Sequence, residues 1–274
     1  MSALRLAGVL RTTLLLFWCV VVFAFIFAPI VSTVVFSFNV DRFPSLPWSG
    51  FSLQWYEAVL SDATVRRGLW NSLTVAGGTA ILSTFIGFTT AYVDYRFRFF
   101  GKRLYMALAA LPPTVPVVIM GVAMLTFQGR IGLSGSIPGL IAAHVVICAP
   151  FAMALIRMRL SDLGRDLEPA AWNLGAGQWT TLREIVLPFV APSLASALLI
   201  TASVSFDEFM IAWFISGLNE TLPVRVLAML QGQVSPRINA VGAMVFAVSI
   251  LLVALAQLAT ARRLAATRLT GGDP

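Results

Sequence analysis

Long apolar runs, separated by short polar stretches, dominate this sequence. The runs cover residues 14–38, 69–92, 104–127, 140–158, 189–217 and 240–258. Each run is close to the length of about 20 residues that an α-helix needs to cross the hydrocarbon core of a bilayer. The pattern therefore predicts an all-α integral membrane protein with six transmembrane helices.

The composition supports this interpretation. Hydrophobic residues make up 58% of the 274 positions and charged residues only 11%, whereas soluble domains contain about 45–50% apolar and about 25% charged residues. Too little polar surface is left to cover a water-soluble particle. Membrane lipid is therefore the predicted surrounding of the chain.

The net charge of +7 is distributed unevenly among the polar segments. Thirteen of the nineteen Lys and Arg residues lie in the N-terminal segment, in residues 95–103, in residues 157–187 and in the C-terminal tail. Because cytoplasmic segments of membrane proteins are enriched in Lys and Arg, we expect both termini and the 159–187 loop to be cytoplasmic. Topology then accounts for the positive charge, and no nucleic-acid partner is expected.

Three regions are predicted from this pattern. Residues 1–64 would form the first transmembrane helix and a periplasmic loop, and residues 65–260 the core membrane domain with a cytoplasmic loop at 159–188. Residues 261–274 would form a basic cytoplasmic tail.

Prolines and glycines predict how the spans are built and packed. The third span carries Pro112, Pro113 and Pro116, so we expect this helix to be broken. Small residues allow membrane helices to approach closely. The glycines expected at such contacts are Gly77, Gly78, Gly87, Gly121 and Gly242.

The loop at 159–188 predicts two short helices. Pro169 suits a first helical turn and Gly175 suits the position after a helix end, so one helix should begin near Glu168. A second should follow before Pro188 opens the fifth span. Apolar residues recur at steps of three and four, as on one helix face: Leu160, Leu163, Leu167, Ala170, Ala171 and Leu174. That face either folds back on the membrane domain or docks into a partner protein, and the pattern favours neither.

The same loop resembles the cytoplasmic signature of ABC importer permeases. That signature reads Glu-Ala-Ala, three residues, Gly, nine residues and Ile-x-Leu-Pro. Here the two alanines and the glycine have this spacing, and Ile-Val-Leu-Pro follows at 185–188. Pro169 stands at the Glu position of the signature, and the acid lies one residue earlier. The signature residues, including this displaced acid, are Glu168, Ala170, Ala171, Gly175, Ile185, Leu187 and Pro188.

The resemblance implies a fold, a role and a set of partners. The fold would be the MetI-like transmembrane domain of type I ABC importers, located in the bacterial inner membrane. The loop would be a coupling helix that inserts into a groove on a separate ATPase. The expected partners are a dimer of ATP-binding subunits, a homologous second permease and a periplasmic or extracellular solute-binding protein.

The sequence agrees with a division of labour between subunits. A loop of the form Gly-x4-Gly-Lys-Ser/Thr cradles the phosphates of ATP in many ATPases, and this chain has none. Its one Gly-Lys pair, Gly101-Lys102, has Arg96 at the first Gly position and Arg103 after the Lys. We therefore expect a non-catalytic chain without a cofactor of its own, with ATP and Mg bound by the partner ATPase.

Four further segments resemble one particular group of these permeases. Residues 205–209, 211–214, 221–225 and 234–239 resemble the second permease of spermidine and putrescine importers. The similarity implies import of a small solute, most of all a polyamine, into the cytoplasm by alternating access. Close relatives in that family move other small solutes, so an ABC importer permease for another solute is the alternative.

Asp207 and Glu208 are the candidates for the substrate path. They lie about 18 residues into the predicted fifth span, or about 27 Å along its axis. Carboxylates inside a span are costly and usually face a cavity or a partner. They would attract a cationic solute or, alternatively, form a structural ion pair or hydrogen bond. Because adjacent helix residues point about 100° apart, both cannot face one narrow pore. Asp94, near the end of the second span, is interpreted as an interfacial residue near Arg96.

Two other functions are weighed against this interpretation. Gly-Leu-Ser-Gly at 132–135 matches a motif of rhomboid-type intramembrane proteases, with His144 as an available base. In those proteases the base comes from the last core helix, and the sixth span here has no histidine. A free-standing carrier would not need a docking loop. A single histidine makes no metal site, so none is predicted, and His144 is expected to be a hydrogen-bonded interior residue.

Overall fold

The structure, a computed structural model, describes residues 3–41, 47–232 and 236–270. Arg42 and the first two residues of the predicted 234–239 segment lie outside the described residues, as does the end of the predicted tail after residue 270. The described part is helical, apart from turns and one isolated β-bridge between Asn39 and Phe51.

Twelve α-helices follow one another in the described part of the chain. They are α1 (Ala3–Phe36), α2 (Gln54–Ser61), α3 (Ala63–Arg96), α4 (Lys102–Ala110), α5 (Val117–Ile131), α6 (Ile137–Ser161), α7 (Leu167–Asn173), α8 (Gln178–Thr181), α9 (Leu187–Asp207), α10 (Met210–Ile215), α11 (Leu222–Gly232) and α12 (Arg237–Thr270). A 3₁₀ turn at Pro112–Thr114 precedes α5, and a π-helical turn at Leu182–Val186, called here the π turn, joins α8 to α9.

Five helical stretches in the described residues are long and apolar enough to cross a membrane. They are Leu10–Phe36, Ala63–Arg96, Ile137–Ser161, Gln178–Asp207 and Arg237–Leu255. Large apolar side chains are exposed along the first of them, as lipid-facing residues would be. The predicted all-α membrane fold is confirmed.

The predicted third span differs from these five because it is broken. α4 ends at Ala110, the 3₁₀ turn follows, and α5 begins only at Val117. Proline lacks a backbone N–H, and its ring clashes with the preceding helical turn, so the three prolines end one helix before the next begins. The predicted break is confirmed. It leaves α5 with 15 residues, which is shorter than the apolar run of residues 104–127 in which α5 begins.

The prediction of one fifth span over residues 189–217 is wrong. α9 ends at Asp207, and the backbone at Glu208 is extended, with φ −68° and ψ 119°. α10 then begins at Met210. The membrane helix is therefore interrupted at the two acidic residues that were predicted to lie inside it.

Residues 218–239, between the fifth and sixth apolar runs, contain a helix that the sequence pattern did not predict. α11 occupies Leu222–Gly232. Leu222 and Val224 are buried, and Val224 belongs to a core cluster with residues of α3, α5, α6 and α10. Burial of these apolar side chains explains why a helix forms in a segment that is rich in polar residues at both ends.

The first of two compact units contains residues 1–63 and 226–246. In this unit the chain folds back on the end of α1. The ring of Phe38 stacks on that of Phe51, with 5.0 Å between centroids, and lies 5.2 Å from that of Tyr56. These aromatic contacts hold the connection that follows the first span.

The second unit contains residues 64–225 and 247–274. In its core α6 packs along α9, and α5 packs on α10. At Gly87 α3 approaches α6 closely, because a Cβ atom there would lie 2.6 Å from Met153 N.

Close contacts are confirmed at four of the five predicted glycines. A Cβ atom at Gly78, Gly87 or Gly121 would lie within 3 Å of a neighbouring helix, and one at Gly242 would lie 3.3 Å from Thr33. Gly77 has no atom within 4 Å of such a position, so the prediction is wrong at Gly77.

Candidate functional site

The short helix α7 lies in the loop between α6 and α9, as predicted. It begins at Leu167, and Gly175 after its end has a φ of +88°. Gly175 N donates to Trp172 O at 2.9 Å, and Ala176 N donates to Ala171 O at 3.0 Å, which together form a Schellman motif. The prediction of a glycine just past the helix end is confirmed, because a side chain strains this left-handed conformation.

The apolar residues of this loop do not share one helix face, contrary to the prediction. α6 continues to Ser161, and the chain turns before α7 begins. Leu160 and Leu163 are buried in the core of the second unit, whereas Leu174 is 88% exposed and Trp179 on α8 is 73% exposed. The turn separates the pattern into a buried half and an exposed half. The exposed apolar side chains, called here the α7–α8 edge, are Leu167, Trp172, Leu174 and Trp179.

Glu168 is buried beneath α7, with only 4% of its side chain exposed. Its Oε2 forms an ion pair with Arg96 Nη1 at 3.0 Å. The Arg96 guanidinium also donates to Tyr92 Oη at 2.7 Å and lies 4.7 Å from the ring centre of Trp172, within the range of a cation–π contact. These contacts attach α7 to the end of α3.

The other signature residues lie on α7 and at the entry to α9. Ala170 is exposed and Ala171 half-buried. Ile185 packs against the core of the second unit, Leu187 is half-buried, and Pro188 is exposed in the first turn of α9. α8, the π turn and α9 form one continuous helical stretch, and π-type turns inside helices often occur at functional sites.

Asp94 lies at the end of α3, near Arg96 in the sequence, and its ion-pair partners are two other residues. Its carboxylate binds Arg157 Nε at 2.6 Å and Lys102 Nζ at 3.2 Å. These ion pairs join the end of α3 to α4 and α6. Arg96 is engaged by Glu168 instead.

Asp207 and Glu208 lie at the break between α9 and α10. Asp207 is exposed and accepts a hydrogen bond from Ser249 Oγ at 2.7 Å. Glu208 is half-buried, and its carboxylate oxygens accept from Ile211 N at 3.1 and 3.2 Å. Glu208 thus caps the first turn of α10. Within the described part of the chain, neither carboxylate forms an ion pair with Lys or Arg.

His144 is buried and hydrogen-bonded, as expected. Its Nδ1 lies 2.8 Å from Ser205 Oγ, and its Nε2 has no hydrogen-bond partner among the described residues. Ser134 is exposed in the turn between α5 and α6. The histidine therefore does not pair with the serine that the protease hypothesis requires.

Several residues of the site were missed from the sequence. Arg96, Tyr92 and Trp172 form the attachment of α7 to α3, yet nothing in their local pattern identifies Glu168 as the shared partner. The sequence held one signal. Arg96 is a cation at the end of an apolar span, and Glu168 is an acid one residue before the Glu position of the signature. Ser249, which binds Asp207, gave no signal because Ser is common in membrane helices.

Comparison with known proteins identifies the family. A model of the family described as "Binding-protein-dependent transport system inner membrane component" matches residues 83–266. The chain is 35% identical over 241 residues to the spermidine/putrescine transport system permease protein PotC of Haemophilus influenzae, over 88% of this chain and 93% of that protein. It is 32% identical over 231 residues to the putrescine transport system permease protein PotI of Escherichia coli strain K12, over 81% of this chain and 82% of that protein.

A solved structure shares the fold. The crystal structure of a bacterial alginate ABC transporter in complex with an alginate pentasaccharide-bound periplasmic protein contains a chain with a TM-score of 0.71 and 17% identity. The match covers 90% of this chain and 92% of that chain. The chain described here therefore belongs to the family of binding-protein-dependent transport system inner membrane components, the non-catalytic, multi-pass permease subunits of ABC importers.

Proposed function

We propose that this permease imports a polyamine such as spermidine or putrescine, and that the α7–α8 edge couples it to a separate ATPase. The observation that carries the proposal is an exposed apolar edge attached to two membrane-spanning helices. Such an edge can receive movement from a partner and pass it into the membrane.

The α7–α8 edge has the character of a protein-docking surface. Leu174 and Trp179 expose most of their side chains, between the charged groups of Arg165 and Arg183 in the sequence. Transfer of a side chain the size of Leu174 out of water stabilises a complex by about 1.5–3 kcal/mol, and Trp is enriched among residues that dominate binding energy. An ATP-binding subunit dimer is the proposed partner. ATP and Mg would be bound there, since this chain has no phosphate-binding loop.

Two attachments would transmit the movement of α7 and α8. The ion pair between Glu168 and Arg96 links α7 to α3. The π turn links α8 to α9 without interruption of the helix. A displacement of the α7–α8 edge would therefore move α3 and α9 together, as alternating access requires.

The break between α9 and α10 supports a cationic solute. Asp207 is exposed there, and neither Asp207 nor Glu208 has a cationic partner within the described residues. A charge 4 Å away is attracted by about 1 kcal/mol in water and about 4 kcal/mol near a protein surface. Polyamines carry several positive charges along one flexible chain. The two relatives described above are named as permeases for this class of solute.

The remaining parts of the proposal concern assembly and orientation. We place both termini and α7 in the cytoplasm of a bacterium. The terminal segments, residues 95–103 and residues 157–187 hold thirteen of the nineteen Lys and Arg residues, and cytoplasmic segments are enriched in these residues. The proposed complex has a homologous second permease and a periplasmic or extracellular solute-binding protein. The solved relative is named as a complex with such a periplasmic protein.

The test is the ATPase activity of the complete complex in proteoliposomes. The complex would be assembled with saturating binding protein and each of several solutes, spermidine and putrescine among them. We expect a polyamine to stimulate ATP turnover. Gly175→Asp should reduce that stimulation about five- to thirtyfold, because a side chain strains a left-handed backbone by about 1–2 kcal/mol.

Gly177→Asp is the matched control. Gly177 lies two residues away and has an ordinary φ of −73° at the start of α8, where Asp is a favourable N-cap. This variant should retain the stimulation. Loss in both variants would mean that added charge disturbs docking, and stimulation by another solute would refute the polyamine assignment while leaving the coupling intact. Wild-type behaviour of Gly175→Asp would refute the coupling role of α7.

A further inference from the structure

A cleft of about 1580 Å³ opens beside α7. Residues from the ends of α3 and α6 line it, together with residues 98–101 and α4. α3 and α6 are long and apolar enough to cross a membrane, and their apolar runs end at residues 92 and 158, next to the residues that line the cleft. A spanning helix leaves the hydrocarbon core where its apolar run ends, which would place the cleft at the depth of lipid phosphates.

The cleft is strongly basic. The two carboxylates that line it, Asp94 and Glu168, are both engaged in ion pairs. Among the cations, Arg98, Arg103 and Arg165 are exposed and have no carboxylate within ion-pair distance in the described part of the chain. The six cationic residues of the lining are Arg96, Arg98, Lys102, Arg103, Arg157 and Arg165.

Apolar residues also line the cleft, among them Met106 and Ala110 of α4 and Met153 of α6. Phe100, which also lines the cleft, is fully exposed. An inorganic anion would use only the basic residues of the lining. An amphiphile with an anionic head and an apolar chain would use both the basic and the apolar residues.

We propose that this cleft binds the headgroup of an anionic phospholipid, of the phosphatidylglycerol or cardiolipin type. Arginine suits phosphate because its planar guanidinium donates two parallel hydrogen bonds. Basic pockets between membrane helices bind anionic headgroups for this reason. Pro169 and Trp172 of α7 also line the cleft, so the bound lipid would contact α7. The binding itself does not depend on the proposed polyamine transport.

The test measures lipid binding to the full chain purified in detergent. The chain would be titrated with dioleoylphosphatidylglycerol, with dioleoylphosphatidylcholine as the neutral reference, and bound lipid counted by native mass spectrometry. Arg98→Gln with Arg103→Gln should weaken phosphatidylglycerol binding roughly 25-fold, about fivefold for each cation, and leave phosphatidylcholine binding unchanged. Arg98→Lys with Arg103→Lys, which preserves the charge, should retain most of the binding.

The matched control is Arg67→Gln with Arg130→Gln. These residues are also exposed cations, and they lie at the start of α3 and the end of α5, outside the cleft. Equal losses of lipid binding in both double variants would overturn the proposal, because binding would then depend on the total charge of the chain and not on the cleft. Displacement of the lipid by inorganic phosphate at the same concentration would show a soluble phosphate site instead. Unchanged lipid binding in the cleft variant, combined with failed assembly with the ATP-binding subunits, would show that an acidic protein surface covers the cleft.

Discussion

Two pairs of carboxylates in this permease have opposite surroundings. Asp94 and Glu168, at the end of α3, are each bound by Arg or Lys at 2.6–3.2 Å. Asp207 and Glu208, at the break between α9 and α10, receive hydrogen bonds from neutral groups such as Ser249 Oγ and Ile211 N, and form no ion pair with Lys or Arg among the described residues. Both pairs lie at helix ends, yet only one pair is electrically compensated.

The difference indicates separate roles. A carboxylate held by a guanidinium acts as a mechanical attachment between elements, since its charge is already neutralised. An uncompensated carboxylate near the hydrocarbon is costly and usually faces a cavity or a partner. A cationic solute would supply the compensation that the described chain does not. This contrast is the physical reason to look for substrate at the break and for coupling at the end of α3.

The largest expected effect concerns the compensated pair. Arg96→Met leaves Glu168 buried without its partner, and loss of one member of a buried ion pair costs about 3–5 kcal/mol. We expect the free energy of unfolding to fall by about 3 kcal/mol, measured by denaturant unfolding in detergent. Arg67→Met, at an exposed position, should change it by less than about 0.5 kcal/mol.

The double variant Arg96→Met with Glu168→Met separates charge from packing. Removal of both charges should recover most of the lost stability, because no unpaired carboxylate then remains buried. If the double variant is as unstable as Arg96→Met alone, the lost stability comes from packing and not from the unpaired charge of Glu168. The contrast between the two pairs of carboxylates would then not be a contrast in charge compensation.

A smaller effect is expected at Asp207, on transport rather than stability. Asp207→Asn removes the charge but keeps an oxygen that can accept from Ser249. The spermidine concentration for half-maximal uptake into proteoliposomes should rise about tenfold at low ionic strength, with less change at high salt.

Ser249→Ala is the control for this prediction. It removes the hydrogen bond to Asp207 and preserves the carboxylate, so uptake should change less than twofold. Equal effects of the two substitutions would assign the role of Asp207 to its hydrogen bond, and the cationic-path argument would fail.

The smallest expected effect is at Glu208. Glu208→Ala removes the acceptor for Ile211 N at the start of α10, and loss of a helix cap costs about 1 kcal/mol. Glu208→Gln retains an acceptor oxygen and should cost less. Thermal unfolding of both variants in detergent measures the difference. Equal destabilisation would show that charge, and not capping, matters at this position.

The sequence predicted those features that depend on neighbours along the chain. The break of the third span follows from its prolines, and the end of α7 follows from Gly175. The interruption after Asp207 was missed because no proline or glycine marks it. It depends instead on Glu208 as a cap for α10 and on burial of Ile211.

The sequence by itself determined that this chain spans a membrane, that its third span is broken and that a short helix with a glycine end lies between two spans. These are consequences of hydrophobic length and local backbone chemistry. Only the tertiary structure decided that Glu168 pairs with Arg96, that Asp94 pairs with Lys102 and Arg157, and that Asp207 and Glu208 lie at a break. The physical reason is that ion pairs and caps depend on distances in space between helices, and helical periodicity does not encode which distant residues will meet.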